Sequence, residues 1–262
     1  MLKLLGLLAM ALIHPLEAAA TDEAHIRSMA TTYMQALESG QPEQLKQVFH
    51  GSANLFWADA GGRLQSRTQP EWRHAIEQQG AQRALSRDID DVQVDHDIAV
   101  VKVRSDLPDR VFTDYLLVLQ AEGRWRVVNK TFSVAMKDGH PPAAHADDLA
   151  EIRSVLQRKI DASVDSDGGL LAITHHPRAV YYTLVDRMMS ADSIAEAIGR
   201  YEARRAAHPR GPDWRIVLVD QAGTAAMAKL DATLGDARYV DFINLLKIDG
   251  RWQIISAVWA DG

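Results

Sequence analysis

Two aspartates, Asp114 and Asp241, are the residues of this chain whose type and placement could do chemistry. Each lies near the start of a predicted β-hairpin, and the two are 127 residues apart. A carboxylate on an apolar sheet face is desolvated, so it can accept a hydrogen bond or a proton from a bound molecule. They are therefore the first candidates for a ligand contact, with Asp114 as a candidate general base. The alternative is structural: a carboxylate that bonds a neighbouring helix or the backbone.

Tyr33 and His50 are the candidate proton donors. Tyr33 falls on the apolar stripe of a predicted helix, where a core tyrosine is the alternative. Its counterpart by spacing is Lys159, which excludes a tyrosine mechanism shared by both halves. His50 and His176 occupy corresponding positions and could move protons at a pocket mouth. No HxH or HExxH spacing accompanies them, so the sequence predicts no metal site.

Further candidates for ligand binding are large or polar side chains that could form the wall of a cavity. They are Phe49, Phe56, Trp57, Trp72, Asn129 and Tyr182. Aromatic rings suit a planar ligand, and filling of the core is the alternative role.

The elements that would position these residues occur twice. Residues 113–128 and 240–255 each read as two apolar strands around a turn, Glu122-Gly123 and Asp249-Gly250. Asp, Leu, Gly, Arg and Trp recur at the same places in both hairpins. The chain is therefore predicted to be a tandem repeat of one domain.

Strand alternation sorts each hairpin into two faces. The more apolar face carries the aspartate, and we expect it to point to the helices and any cavity. In the first hairpin this face holds Asp114, Leu116, Val118, Gln120, Trp125, Val127 and Asn129, and the other holds Tyr115, Leu117, Leu119, Arg126, Val128 and Lys130. In the second, Ser256 shares the face of Asp241 and Asn244 lies opposite.

Helical patterns come first in each half and strands follow, which predicts an α+β fold. A helix opening near Thr21-Asp22-Glu23 is followed by a short helix, a strand, a third helix and three further strands. Thr68 and Glu71 form a capping-box pattern for the third helix, and Ser190 is its expected counterpart in the second half. The predicted domains are residues 21–136 and 147–262, joined by a linker at 137–146.

Bulk composition excludes several classes of function. The 262 residues carry a net charge of −6, so nucleic acid is not an expected partner. Cysteine is absent, which excludes disulfides and thiolate chemistry. Residues 1–20 read as an export signal, with Lys3, an apolar stretch and cleavage after Ala20. We therefore expect a periplasmic or secreted protein without stable membrane insertion.

The order of elements and the run from Asp114 to Lys130 resemble the lumazine-binding branch of the nuclear transport factor two-like superfamily. Phe49-His50 before the first strand also fits that branch. The resemblance covers residues 22–132 and, more weakly, 147–259. It implies two cone-shaped domains, each a curved antiparallel sheet covered by about three helices. The superfamily includes ketosteroid isomerases, dehydratases, polyketide cyclases of the SnoaL type and non-catalytic modules, so the fold alone does not choose a function.

Three hypotheses about function follow. The leading one is an exported protein that binds a small, largely apolar molecule in one or both cavities, without metal or redox cofactor. The second is an acid-base enzyme of the isomerase, dehydratase or cyclase type, with Asp114 as base and Tyr33 or His50 as donor. The third is an interaction module whose two halves pair sheet to sheet within the chain and whose pockets are filled.

Overall fold

The architecture of the chain is known from a computed structural model, which describes residues 15–138, 146–207 and 213–261. Within these ranges the strands form two six-stranded sheets, one in each half. The predicted α+β fold with two tandem domains is confirmed. Residues 1–14 of the predicted export signal and 139–145 of the predicted linker lie outside the described residues. None of the described helices is long and apolar enough to cross a membrane.

The first domain places its helices before and between its first strands. In chain order its elements are α1 (Pro15–Ser39), a 3-10 turn (Pro42–Gln44), α2 (Leu45–Val48), β1 (Phe49–Ala58), β2 (Leu64–Thr68), α3 (Gln69–Gln79), β3 (Ser86–Asp95), β4 (Ile98–Asp106), β5 (Arg110–Ala121) and β6 (Arg124–Met136). Helix α1 starts before the predicted cap at Thr21-Asp22-Glu23. Strand β2 was not predicted, because its sequence LQSRT has a single apolar residue.

The second domain repeats this order. Its elements are α4 (Ala146–Asp165), α5 (Gly168–Thr174), β7 (His175–Val185), β8 (Met188–Ser193), α6 (Ile194–Ala207), β9 (Asp213–Ala222), β10 (Ala225–Leu234), β11 (Ala237–Ile248) and β12 (Arg251–Asp261). The strand orders, β2-β1-β6-β5-β4-β3 and β8-β7-β12-β11-β10-β9, are equivalent. Neighbouring strands run antiparallel, with one exception in each sheet: β1 is parallel to β6, and β7 is parallel to β12.

The predicted hairpin turns are present, and so is one of the two caps predicted for the third helices. Glu122 and Gly123 both have positive φ, as a two-residue turn of the primed type requires. Thr68 and Glu71 form the capping box of α3. In the second domain this role falls to Ser193 and not to Ser190, because the reciprocal partner Glu196 must lie three residues after the cap.

A β-bulge in β6 corrects the predicted faces of the first hairpin. Val118 pairs with Val127, but Leu117 pairs with Asn129, so Val128 is an extra residue in β6. The alternation beyond the bulge is reversed. Lys130 therefore shares the face of Asp114, and Asn129 points to the opposite side. Strand β12 has the same bulge, which moves Ser256 away from the face of Asp241.

The helices cover the face of each sheet that carries the aspartate. In the first domain Leu116 and Val127 belong to the same buried core as Ile26 of α1. Indole hydrogen bonds tie each hairpin to the first helix of its domain. Trp125 donates to Asp22 at 3.2 Å, and Trp252 donates to Asp148 at 3.1 Å. Asp22 thus anchors the hairpin instead of capping the helix.

The opposite faces of the two sheets pack on each other. Their shared apolar core includes Tyr115 and Val128 from the first domain and Phe242 and Ile255 from the second. At the centre, buried Asn129 Oδ1 accepts hydrogen bonds from Ser256 and Asn244, at 2.6 Å and 3.3 Å respectively. These bonds give Asn129 Oδ1 two donors inside an otherwise apolar contact, whereas Asn244 Oδ1 has no hydrogen-bond partner.

Two ion pairs at this contact use lysines at equivalent positions of the two domains. Lys102 of β4 lies 2.8 Å from Asp220 of the second domain, and its counterpart Lys229 lies 2.8 Å from Asp95 of the first. Each domain thus supplies one lysine from the equivalent strand and one carboxylate. The two carboxylates are not equivalent, since Asp220 occupies the position of Gln93 and Asp95 that of Ala222.

Candidate functional site

The register of the first sheet brings the site residues together on one face. Asp114 of β5 stands opposite Phe132 of β6, which stands beside Trp57 of β1. In the neighbouring row, Lys130 of β6 stands beside Leu55 of β1. Because cross-strand partners share a face, these side chains all project towards the helices.

A hydrogen-bonded triad lies at the inner end of this face. Tyr33 Oη donates to Asp114 Oδ2 at 2.6 Å, and Lys130 Nζ lies 2.9 Å from the same oxygen. Lys130 Nζ also donates to Tyr33 Oη at 2.6 Å. Burial raises the pKa of Tyr33 well above its ordinary value, so this phenol stays protonated. Burial lowers the pKa of Lys130, against the opposing effect of the charge on Asp114.

A cavity of about 140 Å³ opens above the triad. Its wall combines five aromatic, three aliphatic and seven polar or charged side chains. It is lined by Tyr33, Leu37, Leu55, Trp57, Arg67, Trp72, Ile76, Gln79, Gln82, Arg87, Ser105, Phe112, Asp114, Lys130 and Phe132. Asp114 is 1% exposed, and its second oxygen, Oδ1, has no hydrogen-bond partner. A buried carboxylate oxygen without a donor is costly, and a bound molecule could supply that donor.

The aromatic wall holds cations at both of its ends. Trp57 and Phe132 stack, with ring centroids 5.2 Å apart. Lys130 Nζ lies 4.9 Å from the ring centroid of Phe132, and the guanidinium of Arg67 lies 5.5 Å from that of Trp57. These distances are within the range of cation-π attraction. The wall therefore runs from an exposed arginine to a buried lysine.

Arg87 closes another side of the cavity and is fully engaged. It donates to the Ser105 hydroxyl at 2.8 Å and to the Gln82 carbonyl at 2.6 Å. Its Nε lies 3.2 Å from Glu38. These contacts fix β3 against the loop after α3, so Arg87 has a structural role in the wall.

The second domain keeps the buried acid but takes its lysine from another element. Lys159 of α4, at the position of Tyr33, forms the ion pair with Asp241. Ala257 of β12 stands at the position of Lys130. Lys159 Nζ also lies 4.2 Å from the ring centroid of Trp214. An aspartate-lysine pair is therefore common to both domains, whereas the tyrosine is not.

Sequence reasoning missed His175 as a buried group. Its Nε2 lies 2.7 Å from Tyr181 Oη and its Nδ1 lies 2.8 Å from the Leu171 carbonyl. Since a carbonyl only accepts, Nδ1 carries the proton and Nε2 accepts from the tyrosine. Burial lowers the pKa of His175 to about 3. The ring is thus neutral and structural at ordinary pH.

The structure divides the residues predicted from the sequence into three sets. Tyr33, Trp57, Trp72 and Asp114 line the cavity, and Phe49 packs behind it against Trp72 at 5.0 Å between ring centroids. Phe56, Asn129 and Tyr182 lie instead in the contact between the sheets. Alternation in β1 explains the position of Phe56, and the bulge explains that of Asn129.

The remaining predicted residues are not at the cavity. His50 is half-buried, bonds Ser52 at 2.8 Å and lines a surface groove instead. His176 accepts a hydrogen bond from the backbone N–H of Arg178, and Asp241 forms an ion pair with Lys159. His50 is therefore not placed to act with Asp114. The described residues include no group of three His, Cys, Asp or Glu side chains that could hold a metal ion.

Lys130, Arg67 and Phe132 are among the site residues that the sequence did not predict. Lys130 was assigned to the wrong face because a bulge leaves no mark in a periodic pattern. Arg67 lies on a strand that was not predicted. Lys159 was recognised as the counterpart of Tyr33, but its partner was not foreseen.

These features define a class of protein: a tandem pair of α+β domains, with an acid-bearing cavity between the helices and the sheet of the first. A family model described as "Putative lumazine-binding" matches residues 21–133 and again residues 147–260. The chain belongs to that family and contains two copies of its domain, which confirms the resemblance found in the sequence. The family's description suggests a domain that binds a small molecule. The comparison with curated proteins finds no match.

Several solved structures are similar to this chain. An NTF-2 like protein of unknown function from Silicibacter pomeroyi is 21% identical, over 45% of this chain and 98% of that one, with a TM-score of 0.41. One from Shewanella baltica is 23% identical, over 46% and 98%, with a TM-score of 0.41. One from Methylobacillus flagellatus is 24% identical, over 47% and 99%, with a TM-score of 0.41.

The two lysine positions should be interchangeable. Lys130→Ala removes the cation from buried Asp114 and should lower the free energy of unfolding by about 3–5 kcal/mol. Adding Tyr33→Lys recreates the arrangement of the second domain, and the double variant should recover most of that loss. Urea unfolding of wild type, single variants and double variant measures it. A double variant no more stable than Lys130→Ala would show that the helix lysine cannot reach the acid.

His175 should make stability depend on pH. An unfolded histidine titrates near pH ~6.5, whereas the folded pKa is about 3. Between these values only the unfolded chain binds the proton, so stability falls as pH falls. From pH 7 to pH 5 this loss is about 2 kcal/mol. Urea unfolding should show it in wild type and in the exposed control His25→Gln, but not in His175→Gln; equal slopes in all three would refute it.

Proposed function

We propose that the chain binds a small, planar, largely apolar molecule in the cavity of its first domain. The observation that carries this proposal is a cavity lined by five aromatic rings and by Asp114, whose second carboxylate oxygen is buried without a donor. The membership of a family described by lumazine binding supports it. The binding is non-catalytic in this proposal and uses neither metal nor redox cofactor.

Cavity size limits the ligand to about one ring. The volume is about 140 Å³, close to the roughly 150 Å³ of an engineered apolar cavity that takes up benzene. Drug-sized ligands occupy pockets of about 300–1,000 Å³. A larger molecule would have to extend past the mouth, where Gln79 and Arg67 lie.

The inner end of the cavity selects for a hydrogen-bond donor. Tyr33 and Lys130 both direct their donors to Asp114 Oδ2. The free oxygen, Oδ1, can only accept while the carboxylate is ionised. A ligand with a hydroxyl or N–H group at its deep end satisfies this oxygen, and an apolar ligand of the same size does not.

The second domain has a structural role in this proposal. A lysine replaces the tyrosine on its helix, and an alanine replaces the lysine on its strand. Lys159 thus stands where Tyr33 forms part of the cavity wall in the first domain. The pairing of the two sheets occupies the faces opposite the helices, so it leaves the first cavity free.

An acid-base enzyme is the second candidate, and one observation favours it. Tyr33 and Asp114 converge on the same cavity, and Asp114 Oδ1 is free to take a proton. His50 would take no part. A filled interaction module, the third hypothesis, is not favoured, because the first cavity is open.

Ligand binding can be tested with two probes of nearly equal size. Phenol carries a donor and toluene does not, so phenol should bind at least ten-fold more tightly. Calorimetric titration and quenching of tryptophan fluorescence measure both affinities, since Trp57 and Trp72 line the cavity. Gln79→Trp places a large ring at the mouth and should weaken phenol binding at least ten-fold.

Gln78→Trp is the matched control, because Gln78 is the neighbouring exposed residue of α3 and does not line the cavity. It should leave phenol affinity unchanged. Absence of binding by both probes, or equal weakening by both variants, would contradict the proposed site. Turnover of a bound ligand that Asp114→Asn abolishes would favour the enzyme instead.

We further propose that the protein acts after export to the periplasm or the cell exterior. The support is the sequence of residues 1–20, with Lys3 before an apolar stretch and small residues up to Ala20. Expression in a bacterium with a periplasm should yield a periplasmic product whose first residue is Thr21. A cytoplasmic product that retains Met1 would exclude this signal.

A further inference from the structure

We propose that the ligand of the first cavity carries an anionic group, and that Arg67 binds it at the mouth. This inference rests on the proposed function and adds the chemical class of the ligand: a single-ring aromatic acid. The class follows from the balance of charge along the cavity wall, from the position of Arg67 and from the donor that Asp114 requires.

Each charged residue of the cavity wall except Arg67 has a partner of opposite charge. Asp114 is paired with Lys130 at 2.9 Å, and Arg87 is paired with Glu38 at 3.2 Å. No carboxylate within the described ranges forms an ion pair with Arg67, which is exposed. The cavity therefore presents one net positive charge to an incoming ligand, at its outer end.

Glu71 is the acid whose pKa the charge of Arg67 affects. Its carboxylate, however, already accepts hydrogen bonds from Thr68. The backbone and hydroxyl of Thr68 donate to Glu71 Oε2 at 2.8 Å and 2.9 Å. The pKa of Glu71 is lowered chiefly by these hydrogen bonds and to a smaller extent by the charge of Arg67. The capping box thus holds this carboxylate at the helix terminus, and the guanidinium keeps its donors free.

Strand register places the side chain of Arg67 on the face of the sheet that lines the cavity. Arg67 pairs with Leu55, and Leu55 pairs with Lys130, so the three side chains form one row across the sheet. Packing on Trp57 restrains the guanidinium further. A planar guanidinium presents two parallel donors, a geometry that matches a carboxylate.

The ends of the site are therefore complementary to two groups on one molecule. Arg67 and Asp114 lie on strands three positions apart in the sheet, which is about 14 Å between backbones. Part of that span is taken up by the long arginine side chain. A flat ring between the aromatic residues, with a donor at the deep end and a carboxylate at the mouth, fits this arrangement.

Three probes that share a ring and a hydroxyl test the charge requirement. They are phenol, 4-hydroxybenzamide and 4-hydroxybenzoate, and only the last is anionic. In wild type, 4-hydroxybenzoate should bind at least ten-fold more tightly than either neutral probe in calorimetric titration. Raising the salt concentration from 0.05 M to 0.5 M, values chosen to shorten the screening length from roughly 14 Å to roughly 4 Å, should reduce this advantage.

Arg67→Gln should abolish the preference for the anion, so that 4-hydroxybenzoate binds this variant no more tightly than phenol does. Arg63→Gln is the control: it makes the same change of charge at the tip of the same hairpin, where Arg63 pairs with Asp59. It should retain the preference. If phenol binds and 4-hydroxybenzoate binds no more tightly, the anionic class is wrong and the proposed function stands. If no probe binds, both are wrong.

Discussion

A buried aspartate paired with a lysine is the interaction on which each domain depends. Moving a charge from water into a protein interior costs several kcal/mol even after relaxation, so a buried carboxylate needs a partner at close range. Asp114 and Asp241 are 1% and 4% exposed, and each has a lysine. This requirement fixes where the helices lie over the sheet, because a lysine or tyrosine of the first helix must reach the acid. The pair is common to both copies of the domain, while the element that supplies the lysine differs.

The position of the lysine decides what else the core can contain. In the first domain Lys130 rises from the sheet, which leaves the helix position to Tyr33 and the space above the triad to a cavity. In the second domain the helix supplies the lysine, Lys159, and the smaller Ala257 occupies the position on the sheet. The same electrostatic need is thus met by two geometries. Only a tandem repeat allows both to coexist in one chain, since a symmetric dimer of identical subunits would have to adopt one of them twice.

Much of the fold could be predicted from sequence because its signals are local or periodic. The repeated hairpins, their turns and the capping box at Thr68 each depend on a few adjacent residues. The face of Asp114 towards the helices followed from strand alternation. What could not be predicted depends on contacts distant in sequence. The bulge at Val128 leaves alternating apolar residues unchanged, yet it reverses every side chain beyond it. The sequence therefore assigned Asn129 and Lys130 to the wrong faces of the sheet, and it did not predict the triad of Tyr33, Asp114 and Lys130.

The bulge also links the cavity to the pairing of the domains. By adding one residue to β6 it sends Lys130 to the helices and Asn129 to the other sheet, where Asn129 meets Asn244 and Ser256. Without the extra residue the lysine would be buried among apolar side chains between the sheets, and Asn129 would face Asp114. Each would lack its partner, and unpaired buried polar groups cost more than their hydrogen bonds contribute. A single local irregularity therefore places two buried polar clusters on opposite faces of one sheet. Neither cluster can change independently of the bulge, so the site and the domain contact are physically coupled.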